Sequence, residues 1–383
     1  MRTIKGMIYT DKLCFEPGEI TVSGDTIEKI VICEAGQLTG EETEQYILPG
    51  LVDTHFHGCA GYDFCDGTVE AMRAIASYEL THGITTITPA TMTLAEDTLL
   101  GICRTCAEAV ETETLAEGIP LKDVLKGIYL EGPFISMEKK GAQNPAYIHK
   151  PDMEMLKGLQ EAAKGMIKIV AIAPETEGAM DCIREGKDSF RFSIAHTCAD
   201  YETAAEAIRE GAAHVTHLYN AMPPFTHRKP GVIGAAAEDE RTEVELICDG
   251  IHIHPSVVKS TFKLFGAERV VLISDSMMAT GMEDGEYALG GQPVQVKGNL
   301  ALLSDGTIAG SATNLYDCMR TAVRMGVAME DAVRAASLNP AAAVGMQEEC
   351  GVLKAGRKAD ILIADKVLNL REVIKSGVSV AVK

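Results

Sequence analysis

The chain has 383 residues, 46% of them hydrophobic, and a formal net charge of −20. Such a charge argues against nucleic acid or an anionic membrane surface as partner, because both need a basic footprint. No apolar run reaches the roughly 18 residues of a membrane span, and "MRTIKGMIYTDKL" lacks the apolar centre of a signal peptide, so the cytoplasm is the expected compartment.

Residues 1 to 46 read as β-rich, with a Gly-Asp turn between the alternating runs of "ITVSGDTIEKIV". From residue 47 to about 345, apolar β-type runs alternate with amphipathic stretches. The runs are "YILPGLVDTHFH", "GITTITPA", "KGIYLEGPF", "IKIVAIAPE", "RFSIAHTCA", "AHVTHLYNA", "EVELICDGIH" and "RVVLISDSM". Stretches between them, such as "TVEAMRAIASYELTH", "ADYETAAEAIREG" and "HPSVVKSTFKLFG", have helical apolar spacing. Eight such alternations predict a (β/α)8 barrel over residues 47–346. After the eighth run, "GMEDGEYALGGQPVQVKGNLALLSDGTIAG" is rich in turns, predicting a hairpin inserted over the barrel mouth. The terminal "GVLKAGRKADILIADKV" is again β-type, so residues 1–46 and 347–383 are expected to form one small β-sandwich domain. A bare barrel takes about 250 residues, which leaves room for it.

The eleven cysteines are scattered, odd in number and mostly in apolar stretches, so they are expected to be free thiols. Cys103 and Cys106 make one C-x-x-C inside a helical pattern; without a second pair at matching spacing they are assigned to packing.

Active sites of (β/α)8 barrels lie at the C-terminal ends of the strands. The first run ends with His55 and His57, the third with Glu131, the fifth with His196, the sixth with His217 and the eighth with Asp275. In an extended strand His55 and His57 share a face. Neutral imidazole is the commonest protein ligand of divalent metals, and burying so many ionisable groups without a cation would cost several kcal/mol each. A metal site is therefore expected. His214, three residues before His217, should face the other way and pack against a helix. His82 and His149 read as structural, His252 as facing the mouth, and His227 and His254 as open.

The motifs "LPGLVDTHFHG", "YLEGPFISMEKKGAQNPAYI", "AHTCADYETAAEAIREGAAHVTHLYNAMPPFTHRKPG", "DGIHIHP" and "LISDSMMATG" resemble those of the N-acetylglucosamine-6-phosphate deacetylase family of amidohydrolases over nearly the whole chain. The resemblance implies a usually dimeric barrel with a small β-sandwich, holding one or two divalent metals, zinc or iron. It places Glu131, His196 and His217 on the principal metal ligands, His55 and His57 on a second metal position, and Asp275 on the catalytic acid and base. Substrate contacts fall on Ala142, Gln143, Asn220, Ala221, Arg228, His252, Ile308, Ala309 and Gly310. Gln143 stands where the family commonly has histidine. The implied reaction releases acetate from a phosphorylated N-acetyl amino sugar, N-acetylglucosamine 6-phosphate or alternatively N-acetylgalactosamine 6-phosphate. A cyclic amidohydrolase shares the barrel but usually has a carboxylated lysine ending the fourth strand, where this chain has "AIAPE". A catalytically silent sugar-phosphate binding protein is the remaining reading.

Overall fold

The computed structural model describes residues 1–34 and 36–382. Each of the eight apolar runs contains a strand, and successive strands are parallel. Leu51–Asp53 pairs with Ile84–Ile87. Ile128–Leu130, Ile167–Ile172, Arg191–Ile194, His214–Val215, Glu243–Ile247 and Val270–Ile273 form a six-stranded sheet. Isolated parallel bridges, Ile87 with Leu125 and Ala90 with Tyr129, link the two-stranded sheet to the third strand. On the other side Asp275 N donates to the His55 carbonyl at 3.0 Å. The outcome is a strongly curled parallel sheet.

Such strands are buried on both faces, which is why they read as continuous apolar runs. In the seventh, Val244 and Leu246 belong to the core shared with the surrounding helices, whereas Ile247 packs with Val271, Ile273 and Ala343 on the other face. Each fully buried aliphatic side chain stabilises by roughly 1.5–3 kcal/mol. Helices follow the first seven strands, among them the predicted Val69–Thr81, Tyr201–Glu210 and Pro255–Phe265. Their starts are set by side-chain caps, with Thr68 accepting from Ala71 N and Asp200 from Thr203 N, each cap contributing about 1 kcal/mol.

Two expectations need correction. The first run is not one strand: Gln45–Pro49 pairs with Arg2–Tyr9 and Ile361–Asp365, and only Leu51–Asp53 joins the parallel sheet. The chain crosses over at Gly50, where a Cβ would collide with Thr85, so no side chain is tolerated at the crossing. The terminal segments pair into one seven-stranded sheet. It curls on itself until Ile27 N donates to Arg357 O at 2.9 Å. Finally, the insertion after the eighth strand is a three-stranded antiparallel sheet, Gly285–Leu289, Gln292–Lys297 and Leu300–Leu303, not a hairpin. Its core of Leu289, Val294 and Leu303 packs with Met92 and Met277.

Candidate metal centre and substrate cavity

All five predicted ligands meet at the C-terminal ends of the strands. Glu131 comes directly after the third strand, and the next residue, Gly132, has φ +81 and no space for a Cβ beside Thr93. Its Oε1 lies 3.3 Å from His55 Nε2 and 3.2 Å from the Nε2 atoms of both His196 and His217. Its Oε2 lies 3.3 Å from His57 Nε2. Asp275 Oδ1 lies 3.4 Å from that same His57 nitrogen. Four imidazoles thus surround one buried carboxylate, in two overlapping groups, His55/His57/Glu131 and Glu131/His196/His217.

These positions depend on backbone that leaves the strand. His196, His217 and Asp275 each sit two residues past a strand end with φ of +42, +29 and +49. Non-glycine residues held in that region carry strain of order 1–3 kcal/mol and cluster at functional sites. The same turn corrects the reading of His214. Alternation would put His214 and His217 on opposite faces, but the left-handed turn at His217 returns its ring to the inward face that His214 occupies. His214 therefore meets Glu245 in the interior, its Nε2 3.1 Å from Oε1, instead of packing against a helix.

Burial alone would raise the Glu131 carboxyl, but the surrounding imidazoles more than offset it and hold it well below the usual carboxylate range. Asp275 is likewise lowered, with the hydrogen bond to His57 overcoming burial. Asp53, which accepts from Ser274 Oγ at 2.6 Å, is pushed by burial up to about 7.

The donor set fits a divalent cation. His196 Nδ1 lies 2.7 Å from Lys139 O and His55 Nδ1 lies 2.9 Å from Glu245 Oε2. Each arrangement assigns the ring proton to Nδ1 and leaves Nε2 as a free donor of its lone pair. His55 Nε2 is fully buried and makes no hydrogen bond, which is costly unless an electrophile meets it.

The cluster opens into a cavity of about 520 Å³, within the range of small-molecule sites. Of the predicted substrate residues, Ala142, Gln143, Asn220, Ala221, His252, Ile308 and Gly310 line it. Ala309 is buried in the insertion, its N–H given to Ala301 O, and Arg228 lies in the exposed loop before helix Gly231–Glu238; neither lines the cavity. His252 Nδ1 is 2.7 Å from Asp249 Oδ2, and although burial opposes its charge, that carboxylate raises its pKa. Gln143 is held at both ends, its Oε1 accepting from Thr93 N at 2.6 Å and its Nε2 donating to Glu131 Oε2 at 2.5 Å.

Lys139 and Lys140 also line the cavity, a basic pair visible in "EKKGA" but unassigned from sequence. Glu245 was missed as well, although a charged residue inside the apolar "EVELI" is itself a signal. The remaining histidines separate cleanly. His82 stacks on Tyr78 at 4.0 Å, His149 meets Phe134 edge-on, His254 caps helix Pro255–Phe265, and His227 is exposed beside Arg228. Cys103 and Cys106 are buried free thiols in the helix Glu96–Thr112, as the packing assignment expects. Among the described residues, no helix is long and apolar enough to cross a membrane.

The sequence profile of the amidohydrolase family matches residues 46–383. N-acetylglucosamine-6-phosphate deacetylase of Bacillus subtilis (strain 168) is 39% identical over 322 residues, 84% of this chain and 81% of that one. N-acetylgalactosamine-6-phosphate deacetylase of Escherichia coli O157:H7 is 33% identical, over 88% of each chain. A mutant of N-acetyl-D-glucosamine-6-phosphate deacetylase from Mycobacterium smegmatis, solved in complex with N-acetyl-D-glucosamine-6-phosphate, matches with a TM-score of 0.90 at 31% identity, covering 100% of this chain and 99% of that one.

Proposed function

The chain belongs to the amidohydrolase family, and on that footing we propose that it hydrolyses the N-acetyl group of N-acetylglucosamine 6-phosphate, giving glucosamine 6-phosphate and acetate. The observation that carries this reading is the convergence of four imidazoles on the two oxygens of Glu131, with Asp275 beside them at the cavity floor. Curated relatives named for that activity, 39%, 36% and 32% identical over most of the chain, support it.

Glu131, His196 and His217 hold one divalent metal in this reading, and His55 and His57 with Glu131 hold a second, zinc or iron being the candidates. Such a metal, when bound, lowers the pKa of water from about 15.7 to about 7 and polarises the amide carbonyl. Asp275, ionised through its contact with His57, takes a proton from the attacking water and returns it to the departing amine. One carboxylate thereby serves both halves of the reaction. Asn220, Ala221 and Ile308 line the sugar's share of the cavity, while Lys139 and Lys140 supply the local positive field a phosphate dianion requires in so acidic a chain, and His252, its pKa raised by Asp249, lines the same cavity.

The eight parallel strands read as one closed (β/α)8 barrel, residues 47–346, flanked by a domain of residues 1–46 and 347–383, with the crossing placed at Gly50. Arg228, exposed and outside its own chain's cavity, suits a homodimer in which it serves the neighbouring subunit's phosphate site, and a sugar-phosphate substrate suits the cytoplasm. The cyclic-amidohydrolase reading is disfavoured because the fourth strand ends without lysine. A silent binding protein is disfavoured by the intact Asp275. Acetate release by metal-loaded protein from N-acetylglucosamine 6-phosphate and from N-acetylgalactosamine 6-phosphate tests the proposal. No release from the first substrate overturns it.

A further inference from the structure

Glu245, on the inward face of the seventh strand, reaches one member of each candidate metal group from behind. Its Oε2 lies 2.9 Å from His55 Nδ1 and accepts the His217 backbone N–H at 3.1 Å. Its main-chain carbonyl accepts the N–H of Leu218 at 2.8 Å. The other oxygen, Oε1, is taken by His214 Nε2 at 3.1 Å. Every atom of this arrangement is buried, and Glu245 has no exposure of its own.

The two grips do different work. On His55, a carboxylate at Nδ1 fixes the tautomer and aims the Nε2 lone pair at the centre. On His217, which is held at φ +29, two acceptors from one residue stabilise a backbone conformation that the chain alone would not keep. By contrast, the other two ligating rings owe nothing to Glu245. His196 is oriented by Lys139 O, and His57 Nδ1 makes no hydrogen bond. We infer that Glu245 is a positioning residue that ties the His55/His57 metal position to the His196/His217 position, so that loosening it weakens both together. The inference rests on the metal-centre reading above. A purely structural ion pair with His214 would instead alter folding stability and leave metal affinity alone.

The test strips the full-length protein with a chelator and titrates it with zinc, reading bound metal per chain and the affinity of each step. Wild type is compared with Glu245→Gln, of nearly equal volume and still an acceptor, and with Glu245→Leu. Removing a hydrogen-bond partner of a metal ligand typically weakens binding by about 10- to 100-fold. The expected result is such a loss at both steps, with Glu245→Gln between wild type and Glu245→Leu. Unchanged affinities in Glu245→Gln overturn the inference, as does a loss confined to one step or a wild type that binds a single zinc. If Glu245→Leu fails to fold, Glu245→Gln decides alone. A wild type that takes up no zinc overturns the metal centre itself, a distinct outcome.

Discussion

The Nε2 atoms of His196 and His217 lie 3.1 Å apart, and each is 3.2 Å from the same oxygen of Glu131. Two imidazole nitrogens and a carboxylate oxygen at that spacing repel unless a proton or cation sits among them. Glu131→Gln keeps the shape and removes the charge, so metal content and acetate release should fall together. Full metal content with normal turnover would show that Glu131 is not the central ligand. His55→Ala should lose only the second metal, with a smaller effect on rate.

For Asp275, contacting His57 at 3.4 Å, substitution to Asn keeps the volume and deletes the proton carrier. Turnover should drop by about 10² to 10⁴-fold, while metal content and substrate affinity, measured by calorimetry, stay near wild type. Near-normal kcat excludes the assigned role.

Arg228 lies outside its own chain's cavity, which makes the proposed trans arrangement directly testable. Arg228→Ala should raise KM for the phosphorylated substrate and hardly change weak activity on N-acetylglucosamine. Mixed and refolded with Asp275→Asn, it should regain activity, because one site of a mixed dimer then has both intact residues. No recovery on mixing argues that Arg228 does not act in trans.

Gln143 spends its amide on Thr93, Glu131 and Met92 Sδ, so its two N–H donors orient the candidate ligand Glu131 and meet a thioether, and neither is free for the substrate carbonyl. A charged donor is about twice as strong as a neutral one. Gln143→His should therefore restore activity to enzyme depleted to one metal and do little for the fully loaded form. Equal rates of variant and wild type in the depleted state would remove Gln143 from any such compensation.

Glu79, on the helix Val69–Thr81, is fully buried and neither oxygen has a partner. Burial, aided by the nearby Asp53, holds its pKa well above the ordinary 4.5. A carboxyl whose folded pKa is raised contributes stability below the ordinary value and loses it as pH rises through the folded one. Thermal unfolding of Glu79→Gln against wild type should therefore show a difference in the variant's favour that grows as pH rises above about 5. The growth should be about 1.4 kcal/mol per pH unit for as long as the folded carboxyl stays protonated. A constant difference across that range would contradict a neutral Glu79.

The order of strands and helices was legible because parallel strands buried on both faces must be apolar throughout and amphipathic helices must repeat every 3.6 residues. The candidate site residues stood out for a related reason: His55, His57, Glu131, His196, His217 and Asp275 interrupt those runs at the carboxyl ends of the strands, where parallel α/β sheets bind their ligands. Sequence periodicity stops at the strand end, however, and beyond it turns set the direction of each side chain. The left-handed backbone at His217 turned its ring to the side that His214 already faces, against the alternation rule. Partnership was equally invisible from sequence, since Glu245 lies 190 positions from the His55 that it orients. The residue types and their placement on strand ends were determined by the sequence alone. Which carboxylate faces which imidazole, and that Arg228 does not line its own chain's cavity, only the tertiary structure decided, because those contacts join segments whose spacing along the chain carries no distance information.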